Sequence, residues 1–344
     1  MKRRELICGA AGAAASGLAG LALPALAQGA LKSEYRMSSV LPPAFAWGRA
    51  AETWARLMRE GGQGRMNVKA YPGASLVQGD ATRELTALRQ GAIDLVCGSP
   101  SNWSGTAREL GCFSLPFLFP DHKALDAVLN NSAFVSQYFD AVRRAGLEPL
   151  ALGETGFRQL SNSKRPVHSP ADLKGMKLRL PPSPMMSDTF QELGANPTVM
   201  SWADAQPALA SGAVDGCENP MELFFASKMN MLGQKYVTKW NYMNEVLLFA
   251  VSRSTWEGLG KDERALLRDS AQAAAKAQIA EVRKFFAEDL RQAAAVNVAV
   301  YEPTPAQLQE FTVSTRRSYA RWKAQISPTL VGAIEQIVQN SRKA

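Results

Sequence analysis

Apolar and polar positions along the chain follow two periods. Residues 45–60 place Ala46, Ala50, Trp54, Leu57 and Met58 at three- and four-residue spacing. That spacing predicts an amphipathic helix, ended by Gly61-Gly62. Residues 34–40 and 66–71 flank it and predict strands. Residues 81–90 predict a second helix, closed by Gly91 in the left-handed cap position. Residues 92–97 form a short apolar run that predicts a buried strand. Strand, helix, strand, helix, strand is the order of an α/β half.

The scheme recurs downstream. Residues 150–155 and 176–180 predict strands. Ser183 caps a helix that has Pro184 at its first position and Gly194 past its end. Residues 198–200 predict a strand, Ser201 caps a helix over 202–211, and Gly212 closes it before a strand over 213–217. A short phrase is thus written twice. Ala87-Leu88 leads to Gly91-Ala92-Ile93-Asp94, and Ala208-Leu209 leads to Gly212-Ala213-Val214-Asp215. Each copy is a helix-to-strand junction, common in α/β proteins. The matching order of elements around the copies predicts two α/β lobes. Ligands of such folds sit beyond the carboxyl ends of strands, in the cleft between lobes. Only the second copy runs on into Glu218-Asn219-Pro220, placed just past its predicted strand.

Residues 262–295 contain neither Pro nor Gly and are rich in good helix formers. At 1.5 Å per residue such a helix spans roughly 50 Å, longer than one small domain. It predicts a spine running along both lobes. A strand over 296–301 and two helices, over 305–324 and 328–341, complete the chain.

A length of 344 residues agrees with two lobes. The first residues read as an export signal, residues 1–27. Lys2, Arg3 and Arg4 precede an apolar run, and Ala25-Leu26-Ala27 offers small residues for cleavage before Gln28. Arg3-Arg4 suits a twin-arginine route and a plain secretory one alike. The formal charge of +8 is spread along the chain, which argues against a nucleic-acid partner. Cys97, Cys112 and Cys217 are too few for a disulfide framework. They read as buried free thiols, with one Cys97–Cys112 bond as the alternative.

The sequence has no G-x-S-x-G, P-loop or H-E-x-x-H pattern. His122 and His168, its two histidines, lie in loop-like surroundings without metal-ligand spacing and read as surface residues. No catalytic residue, cofactor or metal site is expected. What stands out is Arg179. Alternation in Lys177-Leu178-Arg179-Leu180 puts the leucines on one face and the arginine on the other, near the strand's carboxyl end. A guanidinium there can grip a carboxylate with two parallel hydrogen bonds. Arg158, in Gly156-Phe157-Arg158-Gln159, is a second candidate.

Residues 170–181, from Pro170 through Lys177-Leu178-Arg179-Leu180-Pro181, are followed by residues 212–220, ending in Glu218-Asn219-Pro220. Together they resemble the periplasmic substrate-binding subunits of TRAP transporters, of the DctP type. Tyr71-Pro72, Gly91-Ala92-Ile93-Asp94 and Leu115-Pro116-Phe117 precede them in the family's order. The resemblance covers nearly all of residues 33–340. It implies a two-lobed periplasmic-binding-protein fold (type II-like), closing on an organic acid, with a long helix across both lobes. Residues 28–155 with about 245–284 would form the first lobe, and 156–244 with about 285–344 the second. Arg179 would hold the substrate carboxylate, Arg158 a second polar contact, and Asn219 and Trp202 the ligand's body. Ser99, Asn102 and Trp103 would line the first lobe's side, and Trp240 and Asn244 would add contacts from a returning segment. The implied partners are a small organic anion and integral membrane permease subunits. Many members have a Tyr where this chain has Gln206, followed by Pro207, Trp202 replaces the commoner Phe, and the first lobe lacks the acidic residue that some sugar-acid binders place near Ser99. These departures favour a small or apolar acid, such as a keto or aromatic acid. A sensory ligand-binding protein and a periplasmic enzyme acting on a small organic acid are the alternative readings.

Overall fold

The computed structural model describes residues 31–343. The expected export signal, residues 1–27, lies outside them. The first half holds β1 (Tyr35–Ser39), α1 (Ala46–Gly61), β2 (Val68–Tyr71), α2 (Glu84–Arg89) and β3 (Leu95–Gly98). Helices α3 (His122–Leu129) and α4 (Ser132–Arg144) lead into β4 (Leu147–Asn162). The second half holds β5 (Lys177–Leu180), α5 (Pro184–Glu192), β6 (Asn196–Val199), α6 (Trp202–Ala210), β7 (Gly216–Pro220) and α7 (Met221–Ala226). Next come β8 (Tyr236–Ser252), α8 (Arg253–Gly258), α9 (Lys261–Ala295) and β9 (Ala299–Tyr301). The chain closes with α10 (Pro305–Ser314), α11 (Arg316–Ile326) and α12 (Pro328–Ser341).

Among the described residues the strands make one sheet, ordered β2-β1-β3-β8-β4-β7-β5-β6, with β9 beside β8. β1 runs parallel to β2 and β3, and β5 parallel to β6 and β7. The halves are joined by β4 and β8, which pair antiparallel through both. Their register shifts between Pro149 and Ala151, Glu154 and Gly156, and Arg158 and Leu160. The sequence pattern predicts only residues 150–155 of β4, because such irregularities break strict alternation. It also ends the second copied junction too early. Glu218-Asn219-Pro220 lies inside β7, paired with β4 as Leu160↔Glu218 and Gln159↔Asn219, not beyond the strand.

The predicted spine is a single helix of 35 residues, α9. It packs on α1 in the first half, on β4, and on α7 in the second half. Leu267, Ala271, Ala274 and Ala275 of α9 join Trp54, Met58, Leu247 and Phe249 in one core layer. The opposite face of the first half buries Leu125, Phe113 and Tyr138 against Val331 and Ile334 of α12. The second half's core is Leu178, Leu180, Phe190, Trp240, Tyr242 and Phe311. Phe311 of α10 thus packs with the second half's core, while Val331 and Ile334 of α12 pack with the first half's. The expected helix over 305–324 also breaks at Thr315, into α10 and α11.

Cys97, Cys112 and Cys217 are buried free thiols, and the Cys97–Cys112 bond is not formed. His168 is exposed as expected. His122 is not a plain surface residue: its ring packs on Phe157 and Phe286, 3.8 Å from Glu154. Burial holds its pKa below the ordinary value, against the pull of Glu154. Among the described residues no helix is long and apolar enough to cross a membrane.

Candidate functional site

The carboxyl ends of β1, β3, β5 and β7 meet the middle of β4 and β8 around a cavity of about 240 Å³. Val40, Leu41, Pro42, Phe45 and Trp47 form an apolar wall on the first half, and Pro181, Pro182, Trp202 and Leu223 face them. Ser99, Ser101, Asn102, Arg158, Arg179, Gln206, Asn219 and Glu245 supply the polar lining. Apolar walls with a few convergent polar groups are the usual makeup of a small-molecule site.

Arg179 stands on β5 with Leu178 and Leu180 turned into the core, as alternation predicts. It is 3% exposed. Its Nε and Nη2 donate to the Met200 carbonyl at 3.2 and 2.9 Å. Among the described residues it makes no ion pair. Burial pushes its pKa down to about 10, and Cys217 and Glu218 only partly oppose this. At neutral pH the site therefore holds a charged, desolvated guanidinium without a counter-ion. Such a group is costly unless something pairs with it. The Trp202 ring lies over it, 5.5 Å from Cζ. A cation over an indole face gains some attraction, but not the worth of an anion. Trp202 is set there because Ser201 caps α6, its side chain accepting from the Asp204 N–H.

Arg158 differs. Its Nη2 donates to Glu218 Oε1 at 2.8 Å and to the Glu218 carbonyl at 2.9 Å, while Nε donates to Glu218 Oε2. This is a two-toothed fork, already occupied. Glu245 Oε2 lies 3.6 Å from Nη1. Burial opposes the charge on Arg158, yet Glu218 and Glu245 together push its pKa up. Burial raises the Glu218 pKa, and Arg158 offsets part of the rise.

Asn219 lies on the same strand face as Cys217, to whose sulfur it donates at 2.9 Å. Its Oδ1 accepts no hydrogen bond among the described residues. Ser99 donates to Glu245 Oε1 at 2.8 Å and lies 3.0 Å from Ser101 Oγ. Asn102 follows on the helical turn Pro100–Trp103. The same turn points Trp103 inward, where it is fully buried and its Nε1 donates to the Ala81 carbonyl at 3.2 Å. Trp103 is thus core and does not line the cavity. Trp240 is core as well, edge-on to Phe117, Phe190 and Phe311. On β8 it is Glu245 that reaches the cavity, so its neighbour Asn244 turns the other way. Asn244 is fully buried and neither side-chain atom has a partner.

Sequence reasoning brings Arg158, Arg179, Asn219, Trp202, Ser99 and Asn102 to one cavity. It misses Trp47, Phe45, Leu41 and Glu245. Glu245 did carry a signal. It precedes Val246-Leu247-Leu248-Phe249, and a carboxylate in so apolar a strand is rarely buried without a purpose. Among the described residues no cluster of three or more His, Cys, Asp and Glu is placed to hold a metal ion.

The profile of the DctP family, bacterial extracellular solute-binding protein family 7, matches residues 37–325. A crystal structure of a TRAP periplasmic solute-binding protein from Ralstonia eutropha, with bound (S)-2-acetolactate, superposes with a TM-score of 0.88 at 49% identity. It covers 90% of this chain and 99% of that one. The 2,3-diketo-L-gulonate-binding periplasmic protein YiaO of Escherichia coli is 31% identical over 80% of both chains. The C4-dicarboxylate-binding periplasmic protein DctP of Rhodobacter capsulatus is 31% identical over 77% of both.

Proposed function

The chain belongs to the DctP family of bacterial extracellular solute-binding proteins, and from that premise we propose how it binds its solute. Family members are binding proteins without a catalytic role, and those compared bind small organic acids. The alternative of a periplasmic enzyme is set aside on that ground. In our reading Arg179 is the anchor for a substrate carboxylate. Asn219 and Trp202 hold the ligand from the second half, and Ser99 and Asn102 from the first. Arg158 acts mainly as the support that fixes Glu218 and Glu245. The observation that carries this reading is the buried Arg179 charge, which lacks a counter-ion among the described residues. The (S)-2-acetolactate of the Ralstonia eutropha relative and the largely apolar walls favour a short organic acid.

A ligand touching both halves binds better when they are closed, and so shifts the protein toward closure. The protein then works in the periplasm and delivers its acid to the membrane subunits of a TRAP-type transporter. The periplasmic names of the relatives support this location. A thermal-shift screen against organic acids identifies the ligand, and calorimetry on Arg179→Ala tests the anchor. Losing one member of a buried charge pair costs about 3–5 kcal/mol, so affinity should fall well over tenfold. Near-normal affinity in that variant overturns the assignment.

A further inference from the structure

Two arginines line the cavity, and among the described residues Arg179 is the one without a carboxylate partner. Arg158 is engaged by both carboxylate oxygens and the carbonyl of Glu218, and it faces Glu245 at 3.6 Å. Arg158, Arg179, Glu218 and Glu245 together sum to zero charge. A bound monocarboxylate adds one negative charge, and Arg179 is there to meet it. A second carboxylate would find no unpaired cation among the described lining residues and would be pressed toward Glu245.

Glu245 has room for something else. It is 2% exposed, and Oε1 accepts from Ser99 Oγ at 2.8 Å. Oε2 accepts no hydrogen bond among the described residues, although it lies only 3.6 Å from Arg158 Nη1. Glu245 lines the cavity, and with Oε1 held by Ser99 the oxygen left for a ligand is Oε2. The backbone holds it there: Gly156, opposite Glu245 on β4, follows a register shift, and Thr155 Oγ1 donates to the Glu245 carbonyl at 3.3 Å. An acceptor-only group, fixed in a cavity with a lone oxygen uncovered, selects a hydrogen-bond donor.

We propose that Glu245 determines specificity, so that the site takes short monocarboxylates carrying a hydroxyl and rejects dicarboxylates. The hydroxyl donates to Glu245 Oε2 while the carboxylate meets Arg179. This rests on the reading of Arg179 as carboxylate anchor. A site built to bond a hydroxyl discriminates strongly against a ligand lacking it, because its own buried polar group is left unpaired.

The test is isothermal titration of the purified protein with matched four-carbon acids: butanoate, the 2-, 3- and 4-hydroxybutanoates, and succinate. The expected result is that at least one hydroxybutanoate binds tenfold or more tighter than butanoate, and that succinate binds more weakly than that hydroxy acid by a hundredfold or more. In Glu245→Gln the hydroxyl preference falls below threefold and succinate gains at least tenfold. Equal binding of succinate and the hydroxy acids by the unmodified protein overturns the proposal without any variant. So does a Glu245→Gln protein that keeps both ratios. The anchor is scored separately by Arg179→Ala, which should lose all of these acids together. If that variant binds normally while the hydroxyl and succinate ratios persist, the anchor fails and the role of Glu245 stands. No binding of any of these acids by the unmodified protein overturns both.

Discussion

At the scale of single residues, the chain buries several charges, and each has a different solution. Glu218 is neutralised by a fork, Glu245 accepts from a serine and lies near a guanidinium, and Arg179 has no counter-ion among the described residues. Glu84 is the fourth case and lies beside the core Trp103. It is fully buried, accepts from Ser38 Oγ at 2.6 Å, and leaves Oε2 without a partner. Burial raises its pKa from 4.5 to about 7. A raised acid binds a proton more tightly when folded, so its stabilising share is complete below about pH 4.5. That share is lost as pH climbs from there to about 7, and flat beyond. A shift of this size is worth roughly 3 kcal/mol at about 1.4 kcal/mol per unit. Glu84→Gln removes the titrating group. Urea unfolding at pH 5 and pH 8 should show wild type losing more stability between the two than the variant does. Equal losses would show that Glu84 does not titrate in this window. Legibility in sequence follows the same division. Arg179 is visible because alternation in a short strand fixes its face. Trp103 and Trp240 mislead because an aromatic next to a pocket residue is indistinguishable, in sequence, from one packed behind it.

At the scale of elements, α9 is legible because a long run of helix formers without Pro or Gly has few other outcomes. The pairing of β4 with β8 is not. Its bulges depend on what packs over them. Gln278 of α9 reaches into the bulge of β4, accepting from the Glu154 N–H at 3.1 Å and donating to the Glu154 carbonyl at 2.5 Å. A side chain from a distant helix thus satisfies two backbone groups of β4 beside the register shift. Gly153 makes room for it. A Cβ there would lie 2.6 Å from Gln278 Oε1. Gln278→Leu keeps the helix and the volume but strands both groups, at about 1–3 kcal/mol each. Chemical denaturation should show a loss of about 2–6 kcal/mol for two such groups. A loss under 1 kcal/mol would mean that the bulge finds other partners. Because the bulge sets Glu245 opposite Gly156, the same variant should also weaken any preference for hydroxyl-bearing ligands.

At the scale of the whole molecule, the halves touch beside the spine through a contact that the sequence does not announce. Helix α1 begins at Ala46 without a side-chain cap from Phe45. Its cap comes from the other half: Glu222 of α7 accepts from the Ala46 N–H at 2.9 Å, and Arg49 reaches the same oxygen at 3.4 Å. Arg49 also pairs with Glu281 of α9 at 2.6 Å, tying both halves to the spine. Leu41 and Phe45 pack with Leu209, Val214 and Phe224 of the second half beside this cap. A carboxylate at a helix N-terminus gains from the free N–H groups and from the helix dipole, by about 0.3–2 kcal/mol. If the halves part at this contact the gain is lost, and the cap then favours a closed state with or without ligand. Removing the charge with Glu222→Gln should leave the ligand's own contacts in place and weaken the closure. The consequence is kinetic: release quickens by about three- to tenfold while association changes little, as is usual for variants of one interface. Stopped-flow fluorescence can follow both rates, because Trp47 and Trp202 line the cavity. Unchanged release would locate the closing free energy in the ligand's contacts alone, and a slower association of the same size would place the cap in the encounter step instead.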